Sequence, residues 1–243
     1  MKQTKLIHEI RAVKNKKQLT NIIKSQRISE QVLIDVLQIL KIGITEIEVE
    51  KFIKKSFVKY KAPILSFPPI VSFGKNTANI HHEPSKTKLK KGDIIMFDFG
   101  CAVNHYCSDM TRTFFFGKPS KRQEKIYLAV LEAQNRAMAK IKKGERRAKI
   151  IDKSAREFLK KKFRVSKFAH GLGHGVGTVI HEWPNLKPKS EDILPTGCVM
   201  TIEPGLYFKN FGGVRIEDMI LITKNSYKNL TKVSKDIDSV ILK

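Results

Sequence analysis

The 243-residue sequence has only three cysteines, Cys101, Cys107 and Cys198, and no CxxC spacing. That excludes a disulfide framework and a zinc ribbon, and it suits a reducing compartment, so a cytoplasmic location is expected. No window approaches the roughly 18 consecutive apolar residues of a membrane-spanning helix. The opening MKQTKLIHEIRAVKNK lacks the apolar stretch of a secretory signal. No membrane partner is therefore expected. Phosphate-cradling patterns of the GxxxxGK[ST] and GxGxxG kinds are also missing. No stretch rich in Gly, Ser or Pro divides the chain, so one domain over residues 1–243 is the simplest reading.

Acidic residues are scarce. Asp and Glu number 23 against 47 Lys and Arg, which leaves a formal charge of +24. Hydrophobic residues make up 41%, enough to exclude wholesale disorder despite that charge. Only ten of the basic residues are Arg, the better residue for bidentate phosphate contacts. The lysines are scattered along the chain. The runs KLKK at 88–91 and KIKKGERRAK at 140–149 fit a loop and a helix end, where cations complement the helix dipole. A solvated lysine-rich surface and a nucleic-acid patch are both open readings. Nucleic acid is expected as a partner only through non-specific charge attraction.

Periodicity predicts a first helical segment over about 8–41, with Val32, Leu33, Val36, Leu37 and Leu40 on one face. Gly43 stops it. Thr45 and Glu48 form a T-x-x-E capping box that opens a second helix to about Tyr60. Strands are expected at 70–74, 94–99 and 106–116, the last two joined through GCAVNH as a hairpin. Pro119 opens a long helix to about Lys143, and another covers about 147–163. Short strands are expected at 198–203, 205–208 and 213–223. Helices then strands, twice over, make a weak internal repeat. The class is α+β with a largely antiparallel sheet.

Asp98, Asp109, His174, Glu203 and Glu217 carry the chemistry. Asp98 sits inside the apolar strand IIMFDFG, where a carboxylate is costly unless paired or bound to a cation. Asp109 is expected in the next strand, Glu203 ends VMTIEPG, and Glu217 lies in GVRIEDMILIT. Four carboxylates in strands of one sheet need a compensating charge. With one imidazole they suit two divalent first-row metals about 3.5–4 Å apart. In HGLGHGVG at 170–177, glycines allow close approach to the sheet. His174 is the better ligand candidate, because His170 stands at the entrance of the turn. His81 in NIHHEP and His181 in HEWP are candidates for substrate contact or ordinary surface histidines. Arg215 lies two residues from Glu217, so both share a strand face, and Arg215 can hydrogen-bond a ligand carboxylate.

The order Asp, Asp, His, Glu, Glu, with spacings of 11, 65, 29 and 14, resembles the pita-bread dinuclear metallopeptidases. Within that family the chain looks most like the Xaa-Pro peptidases, aminopeptidase P and prolidase. The matching stretches are SFPPIVSFGKNTANIHHEP, DFGCAVNHYCSDMTRTF, HGLGHGVGTVIHEWP, TIEPGLY and GGVRIEDMILIT. The resemblance implies a pita-bread fold with a pseudo-twofold repeat around a curved sheet. It implies two divalent ions, manganese first and cobalt, iron or zinc as alternatives, held by Asp98, Asp109, His174, Glu203 and Glu217. Asp109 and Glu217 would bridge the two ions, and Glu203 would also act as general base. His81 and His181 would contact substrate or the developing oxyanion, while His170 and Arg215 would shape the site after the scissile bond. Trp183, Tyr207 and Phe208 are candidates for an apolar shelf under a proline ring.

The implied activity is an exopeptidase acting on a peptide with a free N-terminus, expected to be an Xaa-Pro aminopeptidase. Methionine aminopeptidase and a non-catalytic pita-bread binding protein are the alternatives. The N-terminal domain usual in Xaa-Pro peptidases is not expected here, which leaves oligomeric state and strictness for proline open.

Overall fold

The structure is a computed structural model and describes residues 2–163 and 168–242. The expected first helix is two helices, α1 (Lys2–Ala12) and α2 (Lys16–Ile39). The chain leaves the helix at Val13, which bridges to Cys198, and Lys14 N–H donates to the Gly197 carbonyl at 2.9 Å. Asn15 then restarts it. The Asn15 side chain accepts from the Gln18 N–H, and the Gln18 side chain accepts from the Asn15 N–H. This capping box satisfies donors that an unbroken helix would have bonded internally. The Thr45–Glu48 box opens α3 (Glu46–Lys59) as expected. Gly43 takes a positive φ of 89° in the turn before it, a conformation that suits glycine.

Five strands follow: β1 (Ile70–Phe73), β2 (Ile94–Asp98), β3 (Ala102–Val103), β4 (Tyr106–Cys107) and β5 (Thr111–Phe116). The expected strand 106–116 is thus broken. β3 and β4 form a small hairpin, and β2 pairs antiparallel with β5 so that Asp98 faces Thr111 in the ladder. Asp109 lies in the break and not in a strand. Two helices come next, α4 (Lys121–Lys142) and α5 (Ala148–Phe163). The remaining strands are β6 (Gly173–Gly175), β7 (Glu182–Leu186), β8 (Val199–Ile202), β9 (Gly205–Phe208), β10 (Gly212–Arg215), β11 (Asp218–Ile222), β12 (Tyr227–Asn229) and β13 (Ile241–Leu242). The expected strand 213–223 is interrupted at Ile216 and Glu217.

One sheet has the order β1-β2-β5-β13, and a second has β12-β11-β8-β6-β7. All pairings are antiparallel except β13 with β5. Helices followed by antiparallel strands recur in both halves, which is the expected α+β plan. The sheets are joined where their strands break. Glu217 N–H donates to the Thr111 carbonyl at 3.2 Å, and Thr113 Oγ1 exchanges hydrogen bonds with the Arg215 backbone. From α4, buried Gln134 donates to the carbonyls of Ile202 and Ile216 at 2.9 and 3.2 Å. Ile202 ends β8 and Ile216 lies between β10 and β11, so this side chain pairs buried carbonyls at the strand ends.

The helices cover the sheets with apolar faces. Phe57 of α3 packs edge-on to Phe99, with ring centroids 5.8 Å apart, and Tyr127 of α4 packs against Phe115 at 5.7 Å. Burying each such aromatic contributes about 1.5–3 kcal/mol. Among the described residues, no helix is long and apolar enough to cross a membrane.

Candidate metal centre

The carboxylates sit where strands end. Asp98 is the last residue of β2, Asp109 follows β4, Glu203 follows β8, and Glu217 separates β10 from β11. Each of these strand ends places a side chain in the lining of one cavity of about 770 Å³. His174 reaches the same cavity from β6. Its neighbour Gly173 lies so close to β8 that a Cβ there would stand 2.0 Å from the Thr201 carbonyl oxygen. The glycines of HGLGHGVG therefore serve the close approach that was expected of them.

Asp109, His174 and Glu217 offer ligand atoms that all lie within 4.8 Å of one another. His174 Nε2 is 3.5 Å from Asp109 Oδ2 and 3.3 Å from Glu203 Oε1. Thr201 Oγ1, two residues before Glu203, donates to Glu203 Oε1 at 3.1 Å and accepts from the His174 N–H at 3.1 Å. Asp98 is turned to Arg215, whose Nη2 donates to Oδ2 at 2.6 Å. The other Asp98 oxygen is buried without a hydrogen-bond partner among the described residues.

Arg215 organises the floor of the cavity. It donates through Nε to Thr111 Oγ1 at 3.0 Å and through Nη1 to Tyr207 Oη at 2.9 Å. Thr111 Oγ1 in turn donates to Glu217 Oε2 at 2.7 Å. Tyr207 Oη lies 2.7 Å from His170 Nε2, and His170 Nδ1 lies 2.8 Å from the Gly171 carbonyl. A carbonyl only accepts, so Nδ1 carries the proton and Nε2 accepts from the tyrosine. Burial lowers the His170 pKa, consistent with a neutral ring.

The electrostatics expose the need for positive charge. Burial pushes Asp109 and Glu217 well above the ordinary carboxylate range, and neighbouring carboxylates push further. Burial also raises Asp98, with Arg215 opposing. For Glu203, burial is outweighed chiefly by the His174 hydrogen bond, which holds it at about 2. Burial alone would lower His174, but its bond to Glu203 and the neighbouring carboxylate charges together outweigh it, and its pKa shifts upward. These four carboxylates line one cavity with one guanidinium, that of Arg215, which is bonded to only one of them, Asp98. An unpartnered Asp98 oxygen and an oxygen-rich donor set with one imidazole fit divalent cations.

The remaining expected residues line the same cavity. His81 and His170 both do so, and His181 stands edge-on to His174 with centroids 4.3 Å apart. The expected aromatic shelf is corrected. Tyr207 is buried beneath the site as a hydrogen-bonding group, while Trp183 and Phe208 pack against the core and do not line the cavity. Phe67, Ile80, Ile180 and Leu186 supply its apolar wall. Thr111 and Thr201 escaped the sequence reading, and Tyr207 entered it only as a shelf candidate. Only Thr201 carried a usable signal, its two-residue spacing from Glu203.

Two mainly antiparallel sheets whose strand ends bring these acidic residues and one histidine to a single cavity define a pita-bread metallopeptidase scaffold. The profile of Metallopeptidase family M24 matches residues 20–224, and the chain belongs to that family. An uncharacterized peptidase of Staphylococcus haemolyticus is 40% identical over 229 residues, covering 94% of this chain and 65% of that protein. The Xaa-Pro dipeptidase of Pyrococcus furiosus is 38% identical over 232 residues, covering 96% and 66%. The structure of an X-Pro aminopeptidase from Thermotoga maritima superposes with a TM-score of 0.92 at 32% identity, covering 98% of this chain and 66% of that one. The chain thus spans about two thirds of the length of the proteins it matches.

Proposed function

We propose that the chain is a metal-dependent exopeptidase that removes the N-terminal residue from peptides with proline in second position. The observation that carries this reading is the cluster of Asp109, His174 and Glu217, flanked by Asp98 and Glu203, at the floor of a cavity with an apolar wall. Likeness to an Xaa-Pro dipeptidase and an X-Pro aminopeptidase supports it.

In this reading Asp98, Asp109, His174, Glu203 and Glu217 hold two divalent cations, manganese before cobalt, iron or zinc. When bound, the pair would supply Lewis acidity toward the scissile carbonyl and lower the pKa of a water nucleophile. Arg215 orients Asp98 and favours its ionised form, and Thr111 orients Glu217 by donating to Oε2. Glu203 Oε1 is occupied by Thr201 and His174, so Oε2, 3.8 Å from His170, takes the proton of the attacking water. The same oxygen returns it to the leaving nitrogen. His81 and His181 hold the substrate carbonyl. His170, neutral and fixed by Tyr207, borders the residue after the scissile bond. A prolyl bond has no N–H to satisfy and carries a bulky ring, which suits the wall of Phe67, Ile80, Ile180 and Leu186.

The experiment is the ratio of kcat/KM for Xaa-Pro-Xaa over Met-Ala-Xaa tripeptides with the protein loaded with Mn²⁺. A ratio above one is expected. A tenfold preference for Met-Ala, about 1.4 kcal/mol of transition-state binding, would move the assignment to methionine aminopeptidase. No turnover of either would favour a non-catalytic binding protein.

A further inference from the structure

We propose that Lys14, in the break between α1 and α2, is a positioning residue for His181, acting through Glu182. The inference rests on the reading of His181 as a group that touches substrate. Lys14 is almost completely enclosed, with its side chain 2% exposed and that of Glu182 6%. Its ammonium has three donors, and three acceptors meet it. They are the carbonyls of Arg11 at 2.7 Å and Ala12 at 3.1 Å, and Glu182 Oε1. No donor is left over for water. The Lys14 backbone is anchored to Gly197 just ahead of β8, the strand that leads to Glu203.

The other Glu182 oxygen accepts from Arg11 Nη2 at 3.1 Å, and the same nitrogen donates to Thr178 Oγ1 at 3.2 Å. Both ends of the 178–182 loop are therefore held by the end of α1 and the break after it. The loop also closes over the carboxylate. A Cβ at Gly177 would stand 2.2 Å from Glu182 Oε1, so a side chain there would collide with the pair. Glu182 opens β7, and His181 is the residue immediately before it. With Glu182 fixed toward Lys14, His181 is directed into the cavity, edge-on to His174.

An apolar pair would fill this space at least as stably, since buried ion pairs contribute little net stability. What a three-donor ammonium adds is direction: it fixes the carboxylate from one side and its two helix-end carbonyls from the other. The break that ends α1 early is what delivers it.

The test uses the full chain loaded with Zn²⁺ and an Xaa-Pro tripeptide. Lys14→Met is expected to lower kcat about tenfold with KM changed by less than about twofold. In the His181→Ala background the same change is expected to lower kcat no further, because both act through one ring. Histidine ring NMR gives a readout independent of turnover. The His181 resonances, assigned by their loss in His181→Ala, are expected to shift in Lys14→Met while those of His81 and His170 hold. Arg11→Ala, a change at a more exposed partner, is expected to show the same pattern more weakly and serves if Lys14→Met fails to fold. Additive losses in the double variant, or unmoved His181 resonances, would overturn the inference. Wild-type turnover by His181→Ala would instead overturn the substrate-contact reading, and the NMR shift would still report whether Lys14 sets the ring.

Discussion

Asp109 and Glu217 lie buried in one acidic cluster, and without cations their protonation is tied to folding. Their pKa values rise well above the ordinary 3.8 and 4.5 because of burial first and neighbouring carboxylates second. Above those ordinary values the unfolded chain has released protons that the cation-free native chain still holds. Stability is then lost as pH rises through the window between ordinary and raised values. His174, raised by Glu203, works in the same direction, contributing below its ordinary 6.5 and losing that contribution as pH rises through its folded value. Glu203 runs the other way, but its loss comes as pH falls from 4.5 toward about 2, outside this window; His170 and His181, lowered by burial, oppose the trend below their ordinary 6.5, but the large shifts are those of Asp109 and Glu217. The chelated protein should therefore melt at a lower temperature at pH 8 than at pH 5.5. Added Mn²⁺ should remove the difference, with its larger stabilisation at pH 8. Melting curves at both pH values with chelator and with Mn²⁺ check this. A chelated protein whose melting temperature rises with pH, indifferent to Mn²⁺, would separate the five side chains from any cation.

At the scale of elements, capping boxes were readable and single-residue breaks were not. Thr45–Glu48 was expected from the T-x-x-E pattern and is present, with Thr45 N–H donating to Glu48 Oε2 at 2.8 Å. Thr45→Ala should cost about 1 kcal/mol, a fall of about 2–4 °C in Tm for a chain of this size. KM should not change, because neither Thr45 nor Glu48 lines the cavity. A thermal scan beside a Michaelis curve tests both halves. The equivalent signal, Asn15 followed by Gln18, was masked by flanking lysines and by apolar residues that keep a helical period across the break. The strand interruptions at Asp109 and Glu217 were hidden for a related reason. Apolar runs continue through them, and what ends the ladder is a hydrogen bond to a distant segment, as with Glu217 N–H and the Thr111 carbonyl. The five acidic and histidine positions were legible because a charge in an apolar run stands out. Thr111 was not, because its partner Glu217 is 106 residues away and a threonine in a strand is unremarked. Tyr207 likewise looked like a shelf residue, since its side chain signals apolar area as readily as a hydroxyl.

At the scale of the whole molecule the unpaired quantity is charge. Even with every carboxylate matched to a cation, 24 positive charges remain. Several are placed where the fold tolerates them, such as Lys140 and Lys142 in the last turn of α4 and Lys160, Lys161 and Lys162 in the last turn of α5. Surface pairs such as Lys149–Glu191 and Arg136–Glu132 are exposed and contribute only about 0.2–1 kcal/mol each. Salt weakens those pairs, but it also screens the repulsion among the excess cations, whose spacing across a molecule of this size is comparable to the Debye length of about 10 Å at 0.1 M. With the excess so much larger than the number of good exposed pairs, screening of repulsion should dominate. Tm in Mn²⁺-loaded protein should rise as NaCl goes from about 10 mM to about 150 mM, where the Debye length falls from roughly 30 to 8 Å. Duplex DNA of any sequence should bind weakly at the higher salt, with Kd of about 10⁻⁴–10⁻⁶ M. A falling Tm would mean that ion pairs outweigh the excess charge. Tight, sequence-dependent DNA binding that persists at about 150 mM NaCl would mean that the lysines form an organised surface, and the reading of them as a solvated coat would be abandoned.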